Sequence, residues 1–157
     1  MQSVGLLVAN LTYDSGRAVT FLLNMNLMSK AKLCPCGSKL EYSNCCQEFI
    51  NGKKLPQAPE QLMRSRYVAY SLANIEYIQE TMQGNALLDF DAEDAQNWAQ
   101  SVKWLKLEVI RSTILANNHG IVEFIAYYRY QNRKCQLHEV SQFELINQRW
   151  YYTGQVS

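Results

Sequence analysis

Four cysteines lie within thirteen residues, and this cluster limits what the surrounding chain can fold into more than any other feature. They are Cys34, Cys36, Cys45 and Cys46. A segment this short cannot build an apolar core of its own, whereas four thiolates closing on one Zn²⁺ ion would give it a fixed shape. A zinc ion with four cysteine ligands has no open position for water or substrate, so the predicted role of the metal is structural.

The residues around these cysteines favour a tight metal-binding loop. Pro35 fixes one backbone dihedral between the first two cysteines, and Gly37 permits a sharp turn directly after them. Neighbouring side chains point to opposite sides of a strand but share a side at the first turn of a helix. Cys45 and Cys46 are therefore predicted to lie at the start of a helix.

Disulfide bonds are the alternative interpretation of the cluster. The chain has five cysteines, which is an odd number, and a bridge between the neighbours Cys45 and Cys46 would be strained. A bound metal is therefore favoured. Cys135 lies apart from the cluster in a strand-like alternation of polar and apolar residues, which predicts a buried or half-buried thiol.

The first 27 residues are apolar, with Asp14 and Arg17 as their only ionisable side chains. A signal peptide has positive charge before its apolar stretch, and polar residues interrupt this stretch well before the ~20 residues that would cross a bilayer. We therefore predict neither an export signal nor a membrane span, and expect a cytoplasmic protein. Because Met28 would make a natural start, residues 1–27 are interpreted as an extension from an upstream start codon, poorly ordered or loosely docked.

After the cysteines, helical patterns come first and strand-like patterns follow. Residues 51–59 contain a glycine and two prolines and are interpreted as a linker. Apolar spacing predicts a helix over 62–74, its extension or restart over 75–82, and another helix over 91–102. Segments rich in β-branched and aromatic residues predict hairpin-linked strands over 105–115, 121–130, 135–146 and 149–153. This order predicts an α+β fold with the helices on one face of a curved antiparallel sheet.

Several blocks of the sequence resemble known families. Cys-x-Cys, eight further residues and Cys-Cys, opening with Cys-Pro-Cys-Gly-Ser, resemble the SEC-C motif, although Lys39 stands where that motif usually has glycine. Later blocks resemble, in the right order, the YchJ family of bacterial proteins of unassigned function. These blocks are residues 62–70, 104–109, 122–124, 137–143 and 149–154.

The resemblance to the YchJ family implies a division of the chain into two parts. Residues 28–54 would form the SEC-C zinc-binding module. Residues 55–157 would form a SnoaL-like domain, which is a cone like that of nuclear transport factor 2, with helices packed on a curved sheet and commonly a cavity between them. This fold serves both enzymes and binding modules, so it does not decide the chemistry.

Residues that could line such a cavity lie on the first helix of the cone and on its strands. Glu139 and Ser141 share one strand face while His138 points to the other, so no ready-made acid–base dyad is expected. A buried Glu139 would be a candidate general base, but a structural ion pair with an arginine is favoured, and no catalytic residue is assigned. The candidate pocket residues are Arg64, Arg66, Tyr67, Tyr70, Trp104, Glu123, Tyr128, Glu139 and Ser141.

Two functions remain open at this stage. In the preferred one, the zinc module is an adaptor for a protein or ribosomal partner, as the occurrence of SEC-C at the tail of the translocase ATPase SecA implies. In the alternative, the cone binds or converts a small molecule and the zinc is purely structural. The net charge of +1 gives no strong signal for nucleic-acid binding, and the strand aromatics are compatible with a homodimer without requiring one. The surface proposed for the adaptor comprises Lys39, Leu40, Tyr42, Phe49 and Ile50.

Overall fold

Helices precede strands in the computed structural model, which describes residues 32–116 and 118–156. The predicted extension, residues 1–27, lies outside the described residues. The sheet is antiparallel with the strand order β1-β2-β3-β4, which confirms the predicted α+β fold. The helices are α1 (Cys46–Ile50), α2 (Pro59–Ser71), α3 (Ile75–Glu80), α4 (Asn85–Leu88) and α5 (Ala92–Ser101). The strands are β1 (Lys103–Ile114), β2 (His119–Tyr130), β3 (Arg133–Ile146) and β4 (Arg149–Gln155).

Helix α2 differs from its predicted range at both ends. It begins three residues earlier, at Pro59, because proline is well suited to the first helical turn. It ends at Ser71, since Ala73 adopts a φ of 52° and the Asn74 side chain accepts a hydrogen bond from the Tyr77 amide at 3.1 Å. Asn74 therefore caps a new helix, α3, and the pattern over 75–82 is a restart rather than an extension.

The turns between the later strands have the geometry that their sequences favour. Gln131 and Asn132 have φ angles of 45° and 64°, and Asn147 and Gln148 have φ angles of 49° and 65°. Two consecutive left-handed residues match the twist of a hairpin, so pairing continues up to each turn. For this reason β3 begins at Arg133, two residues earlier than predicted. Strand β2 also begins two residues earlier than predicted, at His119.

Irregular pairing at both edges of the sheet introduces curvature. In β1 the register shifts between Trp104 and Lys106 and again between Val109 and Arg111. In β4 a third shift sets Tyr152 against Phe143 and Gly154 against Gln142. Such bulges bend a strand and increase its twist.

The core lies between helix α2 and the inner face of the curved sheet. Helix α2 buries Leu62, Met63, Tyr67 and Val68 against apolar side chains of all four strands. A second, smaller cluster joins α2 to α3. None of the helices in the described residues has the length and apolar character needed to cross a bilayer.

Candidate metal centre and adjoining cavity

The four clustered cysteines bring their sulfur atoms together at the spacing of a metal site. All four sulfurs lie within 4.8 Å of one another. Cys36 Sγ is 3.7 Å from Cys45 Sγ, which is 3.9 Å from Cys46 Sγ. A tetrahedron with metal–sulfur bonds of about 2.3 Å, as for zinc, has edges of about 3.8 Å. The donor set therefore fits a divalent ion with four thiolate ligands, and all five cysteines are free of disulfide bonds.

Local backbone geometry explains how so short a segment converges on one point. The Cys34 amide donates to the Leu40 carbonyl at 2.7 Å, which closes a narrow loop. Within this loop Gly37 and Lys39 adopt left-handed φ angles of 78° and 66°. The position that usually carries glycine in SEC-C motifs thus has a conformation that glycine favours. Cys45 precedes α1 and Cys46 is its first residue, which confirms the predicted helix start.

Hydrogen bonding between the crowded thiols changes their acidity. The hydrogen bond with Cys36 raises the pKa of Cys34 to about 11, and hydrogen bonds with Cys34 and Cys36 raise the pKa of Cys46. Hydrogen bonds from Cys34 and Cys46 lower the pKa of Cys36, because its thiolate accepts them. The Ser38 hydroxyl lies 3.2 Å from Cys45 Sγ and adds a further polar contact. A bound cation would take the place of the shared protons.

The cysteine segment is packed into the core of the cone. Cys34, Cys36 and Cys46 are buried and belong to the same apolar cluster as Tyr67 and Leu107. The segment and the cone form one compact unit, residues 31–157. A guanidinium group also joins them, because Arg64 Nη1 donates to the Cys36 carbonyl at 2.6 Å.

This packing changes the surface that was predicted for an adaptor. Lys39 and Leu40 are exposed. Tyr42 and Ile50 are half-buried against the main core cluster, and Phe49 packs against the second cluster. Three of the five predicted surface residues therefore face partly inwards.

A cavity of about 140 Å³ lies in the cone between α2, α5 and the inner face of the sheet. Its polar groups come from α2, β3 and β4. Leu137 lines it and is 36 % exposed, so it lies at the rim. The polar lining side chains are Arg66, Glu139, Ser141 and Tyr152, and the aromatic ones are Tyr67, Tyr70, Trp98, Trp104, Phe124 and Phe143.

The polar groups form a connected floor. Arg66 is only 7 % exposed, and its Nη1 atom donates to the Ile78 carbonyl and to Thr81 Oγ1, both at 2.7 Å. Its guanidinium carbon lies 4.6 Å from the centre of the Tyr152 ring. Glu139 Oε1 accepts hydrogen bonds from Ser141 Oγ at 2.5 Å and from the Tyr152 hydroxyl at 3.2 Å. Tyr152 thus contacts the buried cation through its ring and the carboxylate through its hydroxyl group.

Aromatic rings wall the cavity on the side of α5. Trp98 packs edge-to-face on Trp104, with ring centres 5.0 Å apart, and on Tyr70 at 5.8 Å. Trp104 also packs edge-to-face on Tyr67 at 5.2 Å. Its indole Nε1 is buried and has no hydrogen-bond partner among the described residues. The wall is therefore mainly apolar, with one unused N–H donor in it.

Six of the nine candidate pocket residues line this cavity, and three do not. The six are Arg66, Tyr67, Tyr70, Trp104, Glu139 and Ser141. Tyr128 lies just behind the wall, with its ring centre 5.9 Å from that of Trp98. Arg64 lies towards the metal centre instead, where it bonds Glu60 and the Cys36 carbonyl.

Glu123 is on the outer face of the sheet, because it alternates with the inward-facing Val122 and Phe124 along β2. Its carboxylate bonds His138 Nε2 at 3.0 Å and lies 3.5 Å from Arg111 Nη2. His138 and Glu139 therefore face opposite sides of β3, as their spacing in the sequence predicts.

The candidate residues omitted Trp98 and Tyr152, which both line the cavity. The helical spacing of Trp98 indicated only a buried face of α5. Tyr152 lies in a strand rich in aromatic residues, and the sequence does not reveal the β3–β4 register that brings its hydroxyl group to Glu139.

Two buried phenols beside the core make the protein sensitive to alkali. Burial raises the pKa of Tyr77 to about 12, and burial together with the Glu139 carboxylate raises the pKa of Tyr152. The folded state therefore holds protons that the unfolded chain releases near pH 10. We expect the stability to be fully present below pH 10 and to fall as the pH rises towards about 12. Urea midpoints at pH 9, 10 and 11 test this, and a Tyr77→Phe/Tyr152→Phe variant should show a flatter decline. Equal midpoints at the three pH values would contradict it.

Two family models match the chain. The model of the middle NTF2-like domain of YchJ matches residues 58–155, and the model of the SEC-C motif matches residues 32–48. The chain belongs to the YchJ family. The YchJ assignment agrees with the cone seen here, and the range of the SEC-C match contains all four clustered cysteines. The predicted fold class and cysteine motif are thus confirmed.

Relatives of this YchJ protein include UPF0225 proteins of bacteria. One from Geobacter sulfurreducens is 37% identical over 123 residues, which cover 77% of this chain and 76% of the relative. Another from Actinobacillus succinogenes is 40% identical over 121 residues, which cover 76% and 79% of the two chains.

Two solved structures of SEC-C motif containing proteins are similar to this chain over most of its length. A SEC-C motif containing protein from Rhodopseudomonas palustris has a TM-score of 0.75 and 35% identity, with 80% of this chain and 98% of that chain covered. One from Psychrobacter arcticus has a TM-score of 0.68 and 31% identity, with 80% and 84% covered. The fold of this YchJ protein is therefore shared by experimentally determined structures.

Proposed function

We propose that this protein binds a small organic molecule in the cavity of the cone, and that a zinc ion on the four cysteines holds the fold together. The observation that carries the proposal is the buried Arg66 on the floor of an aromatic cavity. Burial of a charge destabilises the folded protein unless hydrogen bonds or an opposite charge offset the loss of water, so a buried charge is often retained because it binds a ligand. Here the charge shares the cavity lining with a carboxylate, hydroxyl groups and several rings, the combination that is typical of ligand sites.

The size of the cavity limits the ligand. Its volume of about 140 Å³ is close to the roughly 150 Å³ of an engineered apolar cavity that holds benzene. It is smaller than the ~300 Å³ at which sites for drug-sized molecules begin. The ligand is accordingly about one ring in size, with a few polar atoms.

The assignment of zinc rests on ligand chemistry. Thiolates are soft ligands that select zinc over magnesium or calcium, and a closed set of four leaves no position for a reacting group. Reduced thiols are maintained in the cytoplasm, where we place the protein. The metal would thus stabilise the shared core rather than take part in a reaction.

A thermal-shift screen of ring-sized compounds tests the binding function. A compound present at 100 times its Kd should add about 2.7 kcal/mol to the free energy of unfolding and raise the Tm measurably. An Ala126→Leu variant should lose the shift, because Ala126 is 1 % exposed and lines the cavity. The matched control is Ala92→Leu, at an exposed position of α5, which should keep the shift. Equal shifts in both variants would place the binding elsewhere and refute the proposal.

A second candidate function is docking of the cysteine segment to a ribosomal partner. The observation in its favour is that Leu33 and Leu40 are 60 % and 55 % exposed on adjoining segments, beside Lys32 and Lys39. Exposed apolar side chains flanked by cations suit a partner that carries both apolar and anionic surface. Co-sedimentation with purified ribosomes should then be lost in a Leu33→Ser/Leu40→Ser variant that retains its metal. Equal sedimentation of the variant and the parent protein would refute this candidate.

A further inference from the structure

The two opposite charges on the cavity floor are not joined to each other. Arg66 uses its Nη1 atom for Ile78 and Thr81, and Glu139 uses its Oε1 atom for Ser141 and Tyr152. Among the described residues no ion pair links Arg66 to Glu139, and their remaining polar atoms have no hydrogen-bond partner. The floor therefore keeps guanidinium N–H donors and one carboxylate oxygen for another molecule.

These remaining atoms are open to the cavity rather than sealed in the protein. Both side chains line the cavity. Within the described part of the chain, the side-chain polar atom that is both fully buried and without a partner belongs to Trp104, not to either charged residue. A ligand on the floor can thus reach a donor and an acceptor at the same time.

We infer that the cavity selects a ring-sized ligand without net charge that carries an adjacent hydrogen-bond acceptor and donor, such as an aromatic carboxamide or a lactam. This inference rests on the proposed binding function. The ligand carbonyl would accept from the guanidinium group of Arg66, and its N–H group would donate to Glu139. Hydrogen bonds to charged partners are about twice as strong as those between neutral groups, so both contacts favour this class of ligand.

Charged ligands of the same size are disfavoured by the same floor. An anion would be attracted by Arg66 but repelled by the Glu139 carboxylate. A cation would be attracted by Glu139 but repelled by Arg66. In either case one charge of the floor would face a like charge on the ligand inside the cavity, which is unfavourable. Neutral, anionic and cationic ligands would make the same ring contacts with the aromatic wall, so these contacts contribute equally to the affinity of each class. The charged groups of the floor would then determine which class binds most tightly.

Three probes with the same benzene ring and different polar groups separate the contribution of the charged floor from that of the aromatic wall. Benzamide is neutral with an acceptor and a donor, benzoate is an anion, and benzamidine is a cation. Their dissociation constants at pH 7.5 can be measured by calorimetry or by NMR titration. With the parent protein, benzamide should bind at least tenfold more tightly than benzoate or benzamidine.

Changing the charge of the cavity floor should change which charged probe, benzoate or benzamidine, binds more tightly. Glu139→Gln keeps the shape of the side chain and leaves Arg66 unopposed, so benzoate should gain at least tenfold while benzamidine weakens. Arg66→Gln should produce the reverse order. Because Arg66 also supports the fold, the ratio of benzoate to benzamidine affinity in Glu139→Gln decides the question if Arg66→Gln does not fold.

The outcomes separate this inference from the function on which it rests. If rings bind and Ala126→Leu abolishes the binding, but the benzoate-to-benzamidine ratio is the same in the parent and in Glu139→Gln, the inference is wrong and cavity binding stands. If no ring-sized compound binds to the parent protein, both are wrong. If benzoate or benzamidine binds to the parent protein as tightly as benzamide, the inference is also wrong. Tighter binding of benzamide to the parent protein, together with a tenfold or larger change of the ratio in the stated direction, supports both.

Discussion

Replacing Cys46 with serine is expected to destabilise the whole cone and not only the cysteine segment. Cys46 is 1 % exposed and lies in the same core cluster as Tyr67 and Leu107, so loss of the proposed metal bond would disturb packing against α2 and β1. Loss of a structural metal belongs to the mechanisms that produce the largest mutational effects, so we expect a decrease of about 4 kcal/mol or more in the free energy of unfolding. Urea unfolding followed by circular dichroism, with the metal content measured on the same sample, gives the value.

Cys135→Ser is the matched control, because it makes the same chemical change outside the cluster. Cys135 is half-buried in β3, and its thiol has one weak contact, to the Arg133 carbonyl at 3.7 Å. We expect this variant to keep one metal ion per chain and to lose less than about 1 kcal/mol. Two separate transitions in Cys46→Ser, with the cone melting at the parent temperature, would show that the metal stabilises its own segment alone.

Low pH should have the same effect as the loss of a cysteine ligand of the metal. Metal and protons compete for the four thiolates, so the bound metal is lost as the pH falls and the stability falls with it. The direction is opposite to the alkaline loss expected from Tyr77 and Tyr152. The two processes are distinguishable because only the acid transition releases metal.

The sequence predicts the order and type of the main elements well, because local signals determine them. Turn residues such as Asn132 and Asn147 adopt left-handed conformations, and the strands on either side of them follow alternating patterns. The cysteine motif was equally visible, because its spacing is local. Helix α4, a single turn at Asn85–Leu88, was not predicted, since four residues are too few to show a helical period.

The composition of the cavity was harder to predict, because it depends on which face of each element turns inwards. Arg64 and Arg66 are two residues apart on α2 and so lie on nearly opposite sides of the helix. Only Arg66 lines the cavity. Helical periodicity alone could have distinguished it from Arg64 before the structure was known. The bulges in β1 and β4 could not have been predicted in this way, because they reflect closure of the sheet around α2 rather than any local pattern.

Helix α2 is the element that the metal centre and the cavity share. Arg64 reaches from it to the Cys36 carbonyl, and Tyr67 and Arg66 face the cavity. Tyr67 lies in the same core cluster as Cys36. Loss of the metal should therefore disturb the cavity through a single rigid helix, which gives a physical reason for a cysteine segment at this position in the fold.

Substituting methionine for Arg66 is expected to cause the second large loss of stability. The unbranched methionine side chain retains most of the buried stem, but the hydrogen bonds to the Ile78 carbonyl and to Thr81 disappear. Ile78 and Thr81 are both almost fully buried, so the substitution leaves two buried acceptors without their donor. The Glu139 carboxylate also loses the guanidinium group that lines the same cavity. Together these changes should lower the free energy of unfolding by about 3 kcal/mol.

Arg64→Met is the matched control, two residues away on the same helix. Its ion pair with Glu60 is partly exposed, so loss of that pair and of the bond to the Cys36 carbonyl should cost about 1 kcal/mol. Urea midpoints of the two variants at pH 7.5 provide the comparison. If Arg66→Met is as stable as the parent protein, a methionine in the core is as good as the buried cation. The charge of Arg66 would then not be needed for stability, and ligand binding would be the remaining explanation for an arginine at this position.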